Sequence, residues 1–295
     1  MDNPSRVLAL ETTDVTGSVA LAERGKIIAL KRLDPDQRSA RSLAPAIRDV
    51  LREVQWRSSD VEIVAATVGP GSFTGLRVGL ATAKMFAWSV GAKLIGVDSL
   101  DAIVFGLVNN SPNLLAGDCA GGTLVSAGVD AQRGDVALRN YWVAGDGQNR
   151  NFFDVDGKLR VLPIRKWLDV EKTREEIESE YALDAPSLAF LRAEPDLELA
   201  SRNFDRRDAL FVGPVLKRVK NREENYPNVR IADPALWEPS ADGVALAAWT
   251  RVLRGEFDDP FAIAPIYSRK AAAEERAIEK ARMKEAQQKE AQQNK

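Results

Sequence analysis

Apolar residues recur along the first part of the chain in short blocks that predict β-strands, followed by a block at helical spacing. Compact apolar runs lie at residues 7–10, 17–22 and 26–30, with only short turns between them. Short connections favour antiparallel neighbours. Apolar residues then recur every three or four positions over 43–54, which predicts an amphipathic helix.

Strands and helices then alternate up to residue 108. We predict a buried strand over 61–68, a helix over 74–90, a strand over 93–97 and a helix that begins at Asp98 or Ser99. The order β-β-β-α-β-α-β-α is that of the ribonuclease-H-like half-domain in actin-like ATPases and sugar kinases. The pattern therefore predicts an actin-like (ASKHA) α/β fold of two lobes, each a mixed sheet flanked by helices.

The pattern of apolar and polar residues is weaker in the second half of the chain. We predict a hairpin from strands 123–130 and 136–143, a strand over 209–213 and a helix over 240–253 capped by Ser240. Two further helices are expected near 170–181 and 186–193. The predicted domains are an N-terminal lobe (1–109), a C-terminal lobe (110–269) whose helix 240–254 packs back on the first lobe, and a charged tail (270–295) that is a solvated helix or disordered.

Composition narrows the classes of function. The chain of 295 residues has a net charge of −2, so it is not a basic nucleic-acid binder as a whole. It contains no histidine, the commonest catalytic base and metal ligand, and its single cysteine is Cys119. No run approaches the ~20 apolar residues of a membrane span, and no signal sequence is apparent. We expect a soluble cytoplasmic protein without a metal site.

A glycine loop, residues 69–75, joins the strand 61–68 to the helix 74–90. Glycines at such a junction let a backbone approach phosphate, and the helix N-terminus attracts anions. The loop lacks the lysine of a P-loop, and its glycine spacing departs from the dinucleotide fingerprint. A tight strand-to-helix connection and a phosphate-binding loop remain equal alternatives at this point.

The end of the first strand supplies a candidate nucleotide site with this loop. In actin-like ATPases an acidic residue at the strand end holds magnesium through water, and nearby hydroxyls contact phosphate. Asp118, Asp130 and Asp135 are further carboxylates, although turn or capping roles suit them better. The candidate nucleotide-binding residues are Glu11, Thr12, Thr13, Gly71, Ser72, Thr74 and Gly75.

Several segments resemble the bacterial TsaB (YeaZ) family. They are VLALETT at 7–13, VGPGSFTGLRVG at 68–79, GVDSLDA at 96–102, DAQRGDV at 130–136 and PIYSR at 265–269. The second segment resembles that family's signature. The resemblance is strong over residues 6–137, patchy to 269 and absent from the tail.

The resemblance implies a role in making threonylcarbamoyladenosine in tRNA. It implies a noncatalytic subunit that needs no cofactor and binds the transferase paralogue TsaD, with the ATPase TsaE as a third member. The TsaD contact is formed mainly by two helices, here near 40–56 and 74–90. The absence of histidine agrees, because TsaD binds its metal through a His-x-x-x-His motif. An unpartnered chain is expected to form a homodimer.

Small and large side chains alternate along the second of these helices, and small residues permit close helix packing. From the sequence alone, an interface position cannot be separated from an adjacent core position. We predict that Gly79→Trp blocks partner binding and leaves the fold mostly intact. The candidate interface residues are Leu43, Ile47, Leu76, Arg77, Gly79, Leu80, Ala83 and Lys84.

The alternative is an independent ATP-dependent kinase or ATPase of the same fold. Glu11 and the glycine loop would then bind ATP or ADP with magnesium, and Asp98 or Asp130 would be the base. A glycoprotease is disfavoured, because no nucleophile–base pair is present. Basic residues between 202 and 222 either contact tRNA or face solvent: Arg202, Arg206, Arg207, Lys217, Arg218 and Lys220.

Overall fold

The computed structural model describes seven parts of the chain: residues 5–14, 16–34, 39–111, 122–144, 151–154, 157–169 and 209–268. The helices predicted near 170–181 and 186–193, and the tail 270–295, lie outside these residues. In the part that is described, no helix is both long and apolar enough to cross a membrane.

The first sheet has five strands in the order β3-β2-β1-β4-β5. β1 pairs antiparallel with β2 and β2 with β3, whereas β4 is parallel to both β1 and β5. The antiparallel neighbours are those joined by short turns, as the sequence predicts. The strands are β1 (Arg6–Glu11), β2 (Ser18–Glu23), β3 (Lys26–Arg32), β4 (Ile63–Gly69) and β5 (Lys93–Asp98).

Helices cover both faces of this sheet, so its central strands are buried on both sides. Leu8 and Leu10 of β1 face the layer formed by α1 (Ser39–Glu53) and α2 (Phe73–Val90). Val7 and Ala9 face the opposite layer, formed by α3 (Ser99–Asn110) and a helix from the end of the chain. α3 also packs on the second sheet and therefore lies between the two lobes.

The second sheet repeats the arrangement of the first, in the order β11-β10-β6-β7-β8 with β9 also paired to β7. Its hairpin β6–β7 is antiparallel, and β10 lies parallel to β6 and β11. The predicted fold of two mixed sheets with flanking helices is confirmed. The strands are β6 (Thr123–Asp130), β7 (Asp135–Ala144), β8 (Asn151–Asp154), β9 (Arg160–Pro163), β10 (Leu210–Val212) and β11 (Arg230–Ile231).

The remaining helices are α4 (Ile164–Trp167), α5 (Arg222–Asn225) and α6 (Ala241–Leu253), with 3₁₀ turns at Ser58–Asp60, Pro214–Arg218 and Pro234–Leu236. α6 packs on the first sheet although it follows the second in sequence. Ser240 precedes α6 as predicted, but its hydroxyl does not cap the helix. It contacts the Asp242 carboxylate instead, so the predicted capping role is wrong.

Candidate functional site

The carboxyl ends of the parallel strands β1, β4 and β5 meet at one edge of the first sheet. This edge brings the turn after Glu11 against the glycine loop. The Ser72 amide donates to the Thr13 carbonyl at 3.0 Å. The Thr12 hydroxyl donates to the Gly75 carbonyl at 2.8 Å. The chain thus packs upon itself where the sequence predicts a nucleotide site.

The glycines of this loop are each required by a close contact within the chain. A Cβ on Gly75 would overlap the Thr12 carbonyl oxygen, and a Cβ on Gly71 would lie 2.6 Å from the Thr13 Cβ. A Cβ on Gly69 would overlap the Ile266 carbonyl oxygen. Tight packing therefore accounts for the glycines without a ligand, and phosphate binding by this loop stays a prediction.

Three of the four hydroxyls of the candidate site already have partners within the chain. Thr12 and Thr13 are buried, and the Thr13 hydroxyl donates to Glu11 Oε1. Ser72 Oγ accepts a bond from the Gly75 amide at 3.3 Å and so caps α2. Thr74 is exposed in the first turn of α2.

Glu11 is fully buried at the end of β1. Its Oε1 accepts the Thr13 amide at 2.6 Å, while Oε2 has no hydrogen-bond partner among the described residues. Burial raises the pKa of Glu11 to about 8, so the carboxyl keeps its proton at neutral pH. A neutral carboxyl is a poor magnesium ligand, and the described residues include no group of three acidic or cysteine side chains that could hold a metal. The donor set does not fit a magnesium ion.

Replacing Glu11 with glutamine tests this protonation. The unfolded carboxyl ionises near 4.5 and the folded one near 8, so between these values the folded state binds more protons. Stability should therefore fall as pH rises through this window, by at most ~1.4 kcal/mol per unit. Between pH 4.5 and about 8 this slope amounts to at most about 5 kcal/mol, so we expect the stability of Glu11→Gln relative to the wild type to rise by up to that amount from low to high pH. Urea unfolding near both ends of the window measures this.

The matched control for this prediction is Glu53→Gln, which removes a carboxyl from the exposed surface of α1. A Glu11→Gln variant whose difference from the wild type does not change with pH would show that Glu11 is ionised in the fold.

A lysine from the second lobe reaches the same edge of the first sheet. Lys217 Nζ lies 2.5 Å from Glu238 Oε1 and 3.7 Å from Asp14 Oδ2. Burial opposes its charge, but the bond to Glu238 and the charge of Asp14 raise the pKa of Lys217. Its ammonium therefore supplies positive charge beside these carboxylates.

Two neighbouring arginines also contact residues of this chain. Arg218 pairs with Asp130 at 2.7 Å, and the Arg222 guanidinium lies 4.5 Å from the centre of the Trp237 ring. Lys220 is exposed, while Arg202, Arg206 and Arg207 lie outside the described residues. Direct tRNA contact by this segment stays an untested prediction.

Asp98, the candidate base at the end of β5, has a structural role. Its carboxylate accepts the Leu100 amide at 2.8 Å, which caps α3, and pairs with Arg139 of β7 at 3.1 Å. Arg139 also lies 3.4 Å from Asp154. Burial and then the charge of Asp101 raise the pKa of Asp98 to about 7. Asp130, the other candidate base, accepts the Gln132 amide at 2.9 Å and pairs with Arg218.

Most apolar candidates for the interface lie inside the chain's own core. These buried residues are Leu43, Ile47, Leu76, Leu80 and Ala83. They are adjacent core rather than surface positions, because α1 and α2 lay this face on the first sheet. Gly79 is buried too, and a Cβ there would overlap the Thr12 hydroxyl. The expectation that Gly79→Trp leaves the fold intact is therefore wrong.

Arg77 and Lys84, the two cationic candidates for the interface, form hydrogen bonds with residues near the end of the described chain. Arg77 Nε donates to the Tyr267 hydroxyl at 3.2 Å and its guanidinium lies 3.9 Å from the centre of the Phe73 ring. Lys84 Nζ donates to the Ile263 carbonyl at 2.8 Å. Both side chains thus fasten residues 263–267 to α2.

A groove between the outer faces of α1 and α2 is the feature that sequence reasoning missed. Its cavity volume is about 780 Å³, and its walls include Leu51, Trp56, Met85 and Phe86. Met85 is 63% exposed and Trp88, one turn further along α2, is 77% exposed. The helical period that buries Ala83 and Ala87 turns these two side chains outward, so α2 itself carried the signal.

Residues 35–147 match the family model described as TsaD, tRNA N6-adenosine threonylcarbamoyltransferase. The Escherichia coli K12 tRNA threonylcarbamoyladenosine biosynthesis protein TsaB is 33% identical over 137 residues, 46% of this chain and 53% of that protein. The Bacillus subtilis 168 protein of that name is 31% identical over 102 residues, 33% of this chain and 42% of that protein. YeaZ from Pseudomonas aeruginosa superposes with a TM-score of 0.62 at 21% identity, covering 89% of this chain and 99% of that one. The chain is similar to proteins of the TsaB/YeaZ family.

The chain spans about half the length of the curated relatives that it matches. The resemblance inferred from the sequence motifs is confirmed, and the likeness to the YeaZ structure supports the fold. The segment matched by the family model contains α1, the glycine loop and α2. The groove therefore lies within the segment that the family model matches.

Proposed function

We propose that this chain is a noncatalytic subunit of the complex that transfers a threonylcarbamoyl group to adenosine in tRNA. Its partner is a TsaD-type transferase paralogue, bound through the outer faces of α1 and α2, and a TsaE-type ATPase is the third member. The names of the TsaB relatives and the TsaD description of the matching model support this role. Because its substrate is tRNA, we expect this complex in the cytoplasm.

The observation that carries the proposal is the apolar surface along the groove. Met85 and Trp88 expose 63% and 77% of their surface on a helix whose other face lies in the core. Aromatic residues and methionine are enriched at protein interfaces and often dominate their binding energy. A partner helix laid in the groove would cover Met85 together with Trp56 and Leu51.

The role of a scaffold also agrees with the chemistry of the sheet edge. Glu11 is buried and protonated, and Asp98 is held by a helix N-terminus and Arg139. We therefore assign no residue of this chain to catalysis and require no cofactor for its function.

Mixing this chain with its organism's transferase paralogue tests the proposal. Light scattering should detect a heterodimer, and threonylcarbamoyl transfer to tRNA should require both proteins together with the ATPase. Each protein alone is the control. If no complex forms and this chain alone hydrolyses ATP with magnesium, the ATPase alternative replaces the proposal.

A further inference from the structure

We propose that a largely buried cluster of charged side chains between the two lobes is a proton-dependent latch, which holds β8 against α3 while one of its carboxyls is protonated and releases β8 when that proton is lost. We define the latch as Asp98, Asp101, Arg139, Tyr141 and Asp154. The inference concerns the joint between the lobes and does not depend on the proposed function.

Arg139 joins the two sheets through ion pairs. It lies on β7 of the second sheet, and its guanidinium is 3.1 Å from Asp98 at the end of β5 in the first sheet. The same guanidinium is 3.8 Å from Asp101 in the first turn of α3 and 3.4 Å from Asp154 on β8. Arg139 and Asp98 expose only 18% and 10% of their side chains, so water screens their charges weakly.

Aromatic side chains reinforce the same contact. The Tyr141 hydroxyl donates to Asp101 Oδ1 at 2.7 Å, which joins β7 to α3. Burial raises the pKa of Tyr141 well above its ordinary value, so this hydroxyl remains a donor at neutral pH. The rings of Phe105 in α3 and Phe152 in β8 stack with their centres 3.9 Å apart. Release of β8 would therefore separate an aromatic pair as well as the charges.

The charges of the latch do not balance when every carboxyl is ionised. Three carboxylates then face one guanidinium, which leaves two negative charges in excess. Arg251 of α6 also acts on Asp101, but Arg251 is itself paired with Asp258 at 2.8 Å. Burial and then the charge of Asp101 raise the pKa of Asp98 to about 7, and burial raises the pKa of Asp101. The latch therefore loses a proton near neutral pH.

The raised pKa fixes the direction of the effect. An aspartate in water ionises near 3.8, whereas Asp98 in the closed latch ionises near 7, so closing the latch binds a proton between these values. The closed state therefore loses stability as pH rises through this window. Once the proton is lost, the excess negative charge between α3 and β8 favours their separation.

Hydrogen–deuterium exchange of β8 tests the latch. β8 is an edge strand of four residues, so its pairing with β7 depends on its packing against α3. We expect protection of the amides of 151–154, corrected for the intrinsic effect of pH, to fall at least about fivefold between pH ~6 and ~8.5. Protection of β2 in the first sheet should stay constant. Every sample carries Glu11→Gln, so that the titration of Glu11 does not contribute.

Asp101→Asn separates the latch from a merely structural contact. The variant keeps an oxygen that can accept the Tyr141 hydroxyl but removes one negative charge. Protection of β8 should then change less than about twofold over the same range of pH. The Asp98 carboxyl, followed by carbon-13 NMR of labelled aspartate, should titrate below its midpoint in the unsubstituted latch.

Asp154→Asn removes the charge from β8 instead and should give the same exchange result if Asp101→Asn does not fold. The exposed Asp34→Asn is the control of matched charge change, and it should keep the full response to pH. Constant protection of β8 in the unsubstituted latch, or an equal fall in either latch variant, would overturn the inference.

Discussion

Replacing Gly75 with alanine is expected to cost roughly 4 kcal/mol of the free energy of unfolding. The new Cβ would overlap the Thr12 carbonyl oxygen, which belongs to the backbone at the end of the buried strand β1. Either α2 or the turn must move, and the Thr12–Gly75 hydrogen bond would be lost. Domains are stable by only ~5–15 kcal/mol, so much of the margin would disappear. Urea unfolding followed by circular dichroism measures the loss.

Gly106→Ala is the matched control for this variant. Gly106 lies within α3, and its added Cβ would meet nothing closer than the Ser240 hydroxyl at 3.4 Å. Because alanine favours helix by up to ~1 kcal/mol over glycine, this variant should be as stable as the wild type or more so. If Gly75→Ala were as stable as Gly106→Ala, the turn after Glu11 could move at little cost in free energy, and the glycine loop would have room for a ligand.

Met85→Glu is expected to weaken binding to the transferase paralogue at least about a hundredfold, or ~2.7 kcal/mol. The substitution puts a charge where the proposed interface is apolar, and a buried charge without a partner is costly. Threonylcarbamoyl transfer by the reconstituted complex should fall in parallel. The fold should be unaffected, because Met85 is 63% exposed. Calorimetric titration and the transfer assay measure the two effects.

The control for this prediction is Leu253→Glu at the end of α6. Leu253 is also 63% exposed, but it lies outside the α1–α2 face. It should bind and support transfer as the wild type does. If Met85→Glu behaved as Leu253→Glu does, the partner would have to bind elsewhere, and the proposed interface would be wrong.

Much of the architecture could be predicted from local patterns. Strands β1 to β5 and helices α1 to α3 lie within a few residues of their predicted bounds, because apolar periodicity and short turns are properties of neighbouring residues. The second sheet repeats the first without a sequence repeat, so its topology was less accessible. Even so, its hairpin β6–β7 follows the predicted strands, because it too is local.

The candidate site was less predictable, because the roles of its residues depend on contacts with residues that are distant in the sequence. Gly75 is a glycine because Thr12 packs on it, and Gly69 because Ile266 does. Nothing near either glycine in the sequence indicates these partners. Likewise, the sequence suggests Glu11 as a metal ligand. Its burial, which removes the carboxyl from water and raises its pKa, depends on the whole fold and is not visible in the neighbouring residues.

The sequence by itself determined the order of strands and helices, the motifs that carry the family and the absence of histidine chemistry. Only the tertiary structure decided which helix faces are buried, and thereby moved the exposed apolar surface from Leu76 and Leu80 to Met85 and Trp88. A period of 3.6 residues defines opposite faces of a helix but does not say which one meets the sheet. That choice is made by packing between segments far apart in the chain.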